Sequence, residues 1–172
     1  MEHINRILVA TGFSGYAKGL TEYSAKLAAN MNAELLVVSV INVRDIDAVT
    51  KVVSMGYKVD GEHYAEGIKQ ERKEALRKIL KKAGFPMEKV KVFIPTGHPV
   101  DEILNVALEE RADLIVMGTK GRTDLSHVFV GSVADKVFRK SPVTVVSYRT
   151  AEQADRLTRR IHRHNVESEK EV

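Results

Sequence analysis

The stretch Pro99-Val-Asp-Glu-Ile-Leu-Asn-Val-Ala-Leu-Glu-Glu-Arg-Ala-Asp-Leu-Ile-Val-Met-Gly118 changes its hydrophobic period midway. In its first half Val100, Ile103, Leu104, Ala107 and Leu108 recur at the spacing of one helix face, so a helix is predicted between Pro99 and Arg111. Pro99 suits the first turn, and Asp101 and Glu102 follow where the positive end of the helix dipole favours acids. From Asp113 to Gly118 the apolar character is nearly continuous instead of alternating. A strand that reads this way is buried on both faces, as strands of parallel sheets are.

The same alternation runs outward in both directions. Further strands are predicted at Ile7 to Thr11, Glu34 to Ile41, Val90 to Pro95 and Val143 to Tyr148. Ala17, Leu20, Ser24, Leu27, Ala28 and Met31 mark a first helix. Ile68, Leu76, Ile79, Leu80 and Ala83 mark a second, stopped by Gly84 and Pro86, and Val130, Val133, Ala134, Val137 and Phe138 mark a fourth. Strands and helices in strict alternation predict right-handed crossovers and an α/β fold: an open five-stranded parallel sheet with helices on both faces.

Two segments stand apart. Asn42 to Gly61 is longer than such connections usually run and carries Ile46, Val49, Val52, Val53, Met55 and Tyr57. The tail from Thr150 to Val172 is highly charged, with Leu157 and Ile161 four residues apart, and reads as a solvated, partly helical appendage. The division expected is a domain at 1–149 followed by this tail at 150–172.

Composition narrows the function. The 172 residues are 44% hydrophobic and 29% charged, ordinary for a globular chain. No apolar run approaches the roughly 18 residues that span a bilayer, and Met1 to Arg6 lacks the organisation of a signal peptide. Cysteine is absent, which removes disulfides, thiolate metal sites and thiol nucleophiles, and a cytoplasmic location is expected. The net charge of +4 comes from basic residues spread among acidic ones, as between Lys69 and Lys82, a pattern read as a solvated helix face. There is no basic-aromatic interleaving of the kind that binds single-stranded nucleic acid.

In an open parallel sheet, ligands sit beyond the carboxyl ends of the strands, where the strand order reverses. The richest loop there is Gly118-Thr-Lys-Gly-Arg-Thr-Asp-Leu-Ser-His-Val-Phe-Val-Gly131-Ser132. Glycines let backbone amides approach a phosphate closely, and successive amides form an anion nest. Gly131 and Ser132 fall just inside the fourth helix, where free amides and the dipole favour phosphate oxygens. Lys120 and Arg122 are available to add charge. Dinucleotide-binding GxGxxG, Walker A, kinase, zincin and EF-hand patterns are absent. His98 reads as a cap or surface residue, His127 is assigned no catalytic role, and His162 and His164 are too weakly patterned to bind metal, so neither catalytic nor metal residues are assigned.

The loop resembles the G-x2-G-x9-G-[S/T] signature of the ATP-binding branch of the universal stress protein family. Ile7-Leu-Val-Ala-Thr-Gly-Phe-Ser14, Thr96-Gly-His-Pro-Val-Asp-Glu-Ile-Leu104, Ala112-Asp-Leu-Ile-Val-Met-Gly118, Gly131-Ser-Val-Ala-Asp-Lys-Val and Pro142-Val-Thr-Val-Val are similar to other segments of that family. The resemblance covers about residues 4 to 149 and implies strand order 3-2-1-4-5, in a fold like that of the adenine nucleotide alpha hydrolases. It implies that Ala10, Thr11 and Gly12 meet the adenosine, that Val40 lies beside adenine, and that Met117, Gly118, Gly121, Gly131, Ser132 and Val133 contact ribose and phosphates. Arg122 joins this set as a candidate phosphate charge. The implied cofactor is ATP, or else ADP or AMP, with Mg²⁺ left open because the family often has aspartate where this chain has Gly12.

The last strand, Val143 to Tyr148, is apolar and expected at a sheet edge, which pairing about a two-fold axis would cover. The resemblance also implies homodimers. The leading functional expectation is a nucleotide-dependent regulatory module of the stress response acting on an unidentified protein partner. A slow ATPase and a nucleotide-free interaction scaffold are the alternatives, and nucleic-acid binding ranks last.

Overall fold

A computed structural model describes residues 3–12, 15–47, 61–119 and 130–168. Five parallel strands form one sheet: β1 (Arg6–Ala10), β2 (Glu34–Val38), β4 (Val90–Phe93), β6 (Leu114–Gly118) and β7 (Thr144–Tyr148). Their order is β4-β2-β1-β6-β7, which is 3-2-1-4-5 counted over these strands alone. The central strand β1 pairs with β2 from Arg6 opposite Glu34 to Ala10 opposite Val38, and with β6 from Ile7 opposite Leu114 to Ala10 opposite Met117.

Two predicted strands are shorter than expected. The run Glu34 to Ile41 leaves the main sheet after Val38, and Ile41–Asn42 (β3) forms a separate parallel pair with Thr96–Gly97 (β5). The run Val90 to Pro95 ends its ladder at Phe93, and Pro95, having no amide, serves as an acceptor for the amide of Ile41 at 2.9 Å.

The continuous apolar runs have a direct cause: alternate residues of each strand enter different cores. Ile7 and Val9 of β1 join Leu35, Val37, Leu114 and Val116 under α1 (Ala17–Met31) and α3 (Gly61–Lys82). Leu8 and Ala10 join Leu36, Val38, Ile115 and Met117 under α4 (Pro99–Glu109) and α5 (Ser132–Lys140). Each fully buried aliphatic side chain contributes about 1.5–3 kcal/mol, so the central strands anchor the molecule. The stretch at 43–47, numbered α2, is helical, and 48–60 lies outside the described residues.

The helix boundaries follow local chemistry. Asn32, at φ 54°, ends α1 in the left-handed conformation, and the amide of Ala33 returns to the Ala28 carbonyl at 2.9 Å. Gly84, at φ 71°, follows α3 in the same way. Helix α4 stops at Glu109, short of the expected Arg111, and Leu108 points into solvent while Val106 takes a place in the core. Gly131 lies just outside α5, with Ser132 its first residue, because the Gly131 backbone at φ −56°, ψ 145° is extended. The tail is a helix, α6 (Ala151–Ser168), opened by a capping box in which the Thr150 amide donates to Gln153 Oε1 and the Gln153 amide to Thr150 Oγ1.

Candidate functional site

The strand order reverses between β1 and β6, so their carboxyl ends border one crevice. Ala10 stands at its floor, flanked by Val38 on one side and Met117 on the other. Thr11 extends this floor: its amide donates to the Val38 carbonyl at 3.0 Å and its buried hydroxyl to the Gly12 carbonyl at 3.3 Å. Gly12 is exposed, and a Cβ added there would meet nothing within 4 Å. The aspartate that the family often carries would therefore fit.

Across β1, Gly118 ends β6, and the carbonyl of the next residue, Thr119, accepts the Gly131 amide at 2.7 Å. That bond brings both ends of the glycine loop together and sets α5 at the mouth of the crevice. Gly121 and Arg122, with Lys120 and His127, lie outside the described residues.

The amides of Ser132, Val133 and Ala134 occupy the first turn of α5, where no preceding helical carbonyl can accept them. Gly131 offers no side chain to cap them, and Ser132 is exposed beside them. Together with the helix dipole, of roughly half a positive charge, they make a place for an anion. Asp135 does not compete: its carboxylate accepts from Arg139 Nε at 3.1 Å, one turn further along.

Two polar residues that the sequence does not single out stand near these loops. Ser147 lies opposite Met117 in the β6–β7 register, and its buried Oγ has no hydrogen-bond partner among the described residues. A buried hydroxyl of this kind calls for water or a ligand. Arg72 sits in the charged stretch read as a solvated face, yet it is only 4% exposed. Its Nη1 donates to Ser39 Oγ at 3.2 Å and to the Val40 carbonyl at 2.9 Å. Nothing in the residue types separates this arginine from its solvated neighbours, although its four-residue spacing from Ile68 and Leu76 puts it on the core-facing stripe of α3.

Other features point elsewhere. His98 occupies the N-cap position of α4 without a side-chain capping bond. A recess of 450 Å³ between β4 and α4 is lined by Phe93, Pro95, Glu102 and Glu109 among others, and its acids have the wrong sign for phosphate. Among the described residues no group of three or more histidines and acids is placed to hold a metal ion. Nor is any described helix long and apolar enough to cross a membrane.

The universal stress protein MJ0531 of Methanocaldococcus jannaschii is 32% identical over 143 residues, covering 82% of this chain and 81% of that protein. The solved structure of MJ0577 superposes with a TM-score of 0.68 at 29% identity, over 87% of this chain and 100% of that one. Two more distant structures share the fold: a universal stress protein in complex with cAMP (TM-score 0.60, 21% identity, 87% of this chain and 100% of that one) and one from Archaeoglobus fulgidus in complex with dAMP (0.57, 20%, 87% and 100%). The universal stress protein family model matches residues 3–149, everything from β1 to the end of β7, and the chain belongs to that family.

Proposed function

We propose that this protein binds an adenine nucleotide, ATP or else ADP or AMP, across the crevice at the β1–β6 reversal, and that occupancy is a regulatory signal. The observation that carries this reading is the bond between the Gly131 amide and the Thr119 carbonyl, which sets at the crevice a first turn of α5 that has no side-chain cap among the described residues. Phosphates would accept from the amides of Ser132 and Val133, with Gly118, Gly121 and Gly131 leaving room for close approach. Ala10, Thr11 and Gly12 would line the adenosine, with Met117 beside them and Val40 at the base. Relatives seen with cAMP and dAMP support an adenine ligand. When bound, Mg²⁺ would offset phosphate charge, and Gly12 supplies no carboxylate to hold its water shell.

The expected assembly is a homodimer. β7 is the outermost strand on its side of the sheet, with Val145 and Val146 only half-buried. An open edge of this type is covered when a second copy pairs with it about a two-fold axis. Sedimentation at micromolar concentration should give twice the chain mass, and a purely monomeric mass would contradict the dimer.

Denaturing freshly purified protein and identifying what it releases by mass spectrometry tests the ligand. Near-stoichiometric ATP, ADP or AMP is expected. Release of a different ligand class, or no release together with no binding on titration, would overturn the reading.

A further inference from the structure

We propose that Arg72 is a positioning residue for base recognition, an inference that rests on the nucleotide reading above. Arginine is almost never fully buried unless its charge is engaged. Here one nitrogen, Nη1, carries two hydrogen bonds to consecutive residues of the corner between β2 and β3. Ser39 is itself pinned, its amide donating to the Phe93 carbonyl at 2.9 Å. Val40 is the residue at which the chain steps from the main sheet to the short β3–β5 pair, so its carbonyl accepts from a side chain of α3.

The strand order says which end of a nucleotide would reach this corner. With phosphates at the amino end of α5, beyond β6, the ligand crosses β1 toward β2, about 10 Å away at two strand spacings. That is the length of a nucleoside, so the nucleotide reading above, with Val40 at the base, fits the span. A carbonyl oxygen has two lone pairs. Arg72 occupies one at Val40 and holds the group's direction, and among the described residues no second donor takes the other. The exocyclic amine of adenine is a donor and matches it, whereas the keto oxygen of guanine is an acceptor and is repelled. A flexible carbonyl could turn away from guanine, but one held by a buried guanidinium cannot. Arg72 therefore acts through Val40 and touches no ligand atom itself.

The test compares ATP, GTP and inorganic tripolyphosphate binding, by calorimetric titration, to the wild type and to Arg72→Met, Arg72→Lys and Ser39→Ala. Removing a charge-assisted bond at a recognition site should weaken ATP about tenfold in Arg72→Met and erase most of the preference for ATP over GTP. Tripolyphosphate, held only at the α5 end, should change less than about twofold. Arg72→Lys keeps a charged donor and should recover part of the preference, and it serves alone if the methionine variant does not fold. Ser39→Ala leaves the Val40 bond in place and should keep the preference. If ATP and tripolyphosphate weaken in parallel, or the ATP-to-GTP ratio does not move in a folded variant, Arg72 is a helix-to-sheet staple and the proposal is overturned. Wild-type protein that binds no ATP would instead sink the nucleotide reading, and this inference with it.

Discussion

The phenolic oxygen of Tyr148 lies 2.8 Å from the point that a Cβ on Gly19 would occupy. Real Cβ atoms do not approach that closely, so the glycine in α1 is what lets the end of β7 close down on the helix. The tyrosine is also held from the side, its ring centroid 5.1 Å from that of Tyr23. Alanine at position 19 would gain about 1 kcal/mol of helix propensity, but it must displace a packed ring, and overpacking costs about 1–3 kcal/mol. Gly19→Ala should therefore destabilise by about 1 kcal/mol in urea denaturation. In a Tyr148→Phe background, where the obstructing oxygen is gone, the same substitution should stabilise. No change of sign between the two backgrounds would show that the tyrosine swings aside freely.

At the opposite end of the sheet, Asp113 Oδ2 accepts from the amides of Asn5 at 2.7 Å and Arg6 at 2.9 Å. This carboxylate starts β1 beside β6 and lies far from the crevice. Asp113→Ala should cost about 1 kcal/mol, since water can reach the exposed amides and replace much of the bond. Nucleotide affinity should stay within about twofold. A large affinity loss at unchanged stability would assign Asp113 to ligand binding and contradict a purely structural role.

Gly12 offers a test by addition. A side chain there meets open space, and the backbone φ is outside the left-handed range that would strain a substituted residue. Gly12→Asp should fold normally and make ATP binding depend on Mg²⁺. With a chelator present, the new carboxylate should repel the phosphates and weaken binding several-fold, about 1 kcal/mol for water-screened charges at an exposed position. With Mg²⁺ it should bind at least as well as wild type. Equal affinity in both conditions would mean that position 12 does not face the phosphates.

Much of this architecture is legible in the sequence. The helix period between Pro99 and Arg111 and the doubly apolar run to Gly118 specify a parallel α/β sheet, because only strands sandwiched between two cores need both faces apolar. The glycine spacing marks the loop whose ends the Gly131–Thr119 bond joins. Strand ends are less legible: Val40 and Ile41 are as apolar as the residues before them, and the turn into a second small sheet depends on Pro95 and Arg72, which are distant in sequence. Arg72 itself looks like its solvated neighbours, since burial of a charge is decided by partners that a single chain pattern does not reveal. The Thr150-x-x-Gln153 capping box is present in the sequence as a helix start and is overshadowed by the charge of the tail.

The most direct measurement is an equilibrium titration of ATP into the wild-type protein and into Gly131→Val, run side by side with their thermal unfolding. The Gly131 backbone is one that valine adopts readily, so the variant should fold, while a branched side chain is added next to the first turn of α5. Saturable binding by the wild type, weakened at least about tenfold in the folded variant, is the predicted result. Equal binding by both proteins, or none by the wild type at millimolar ATP, would contradict a nucleotide held at the amino end of α5.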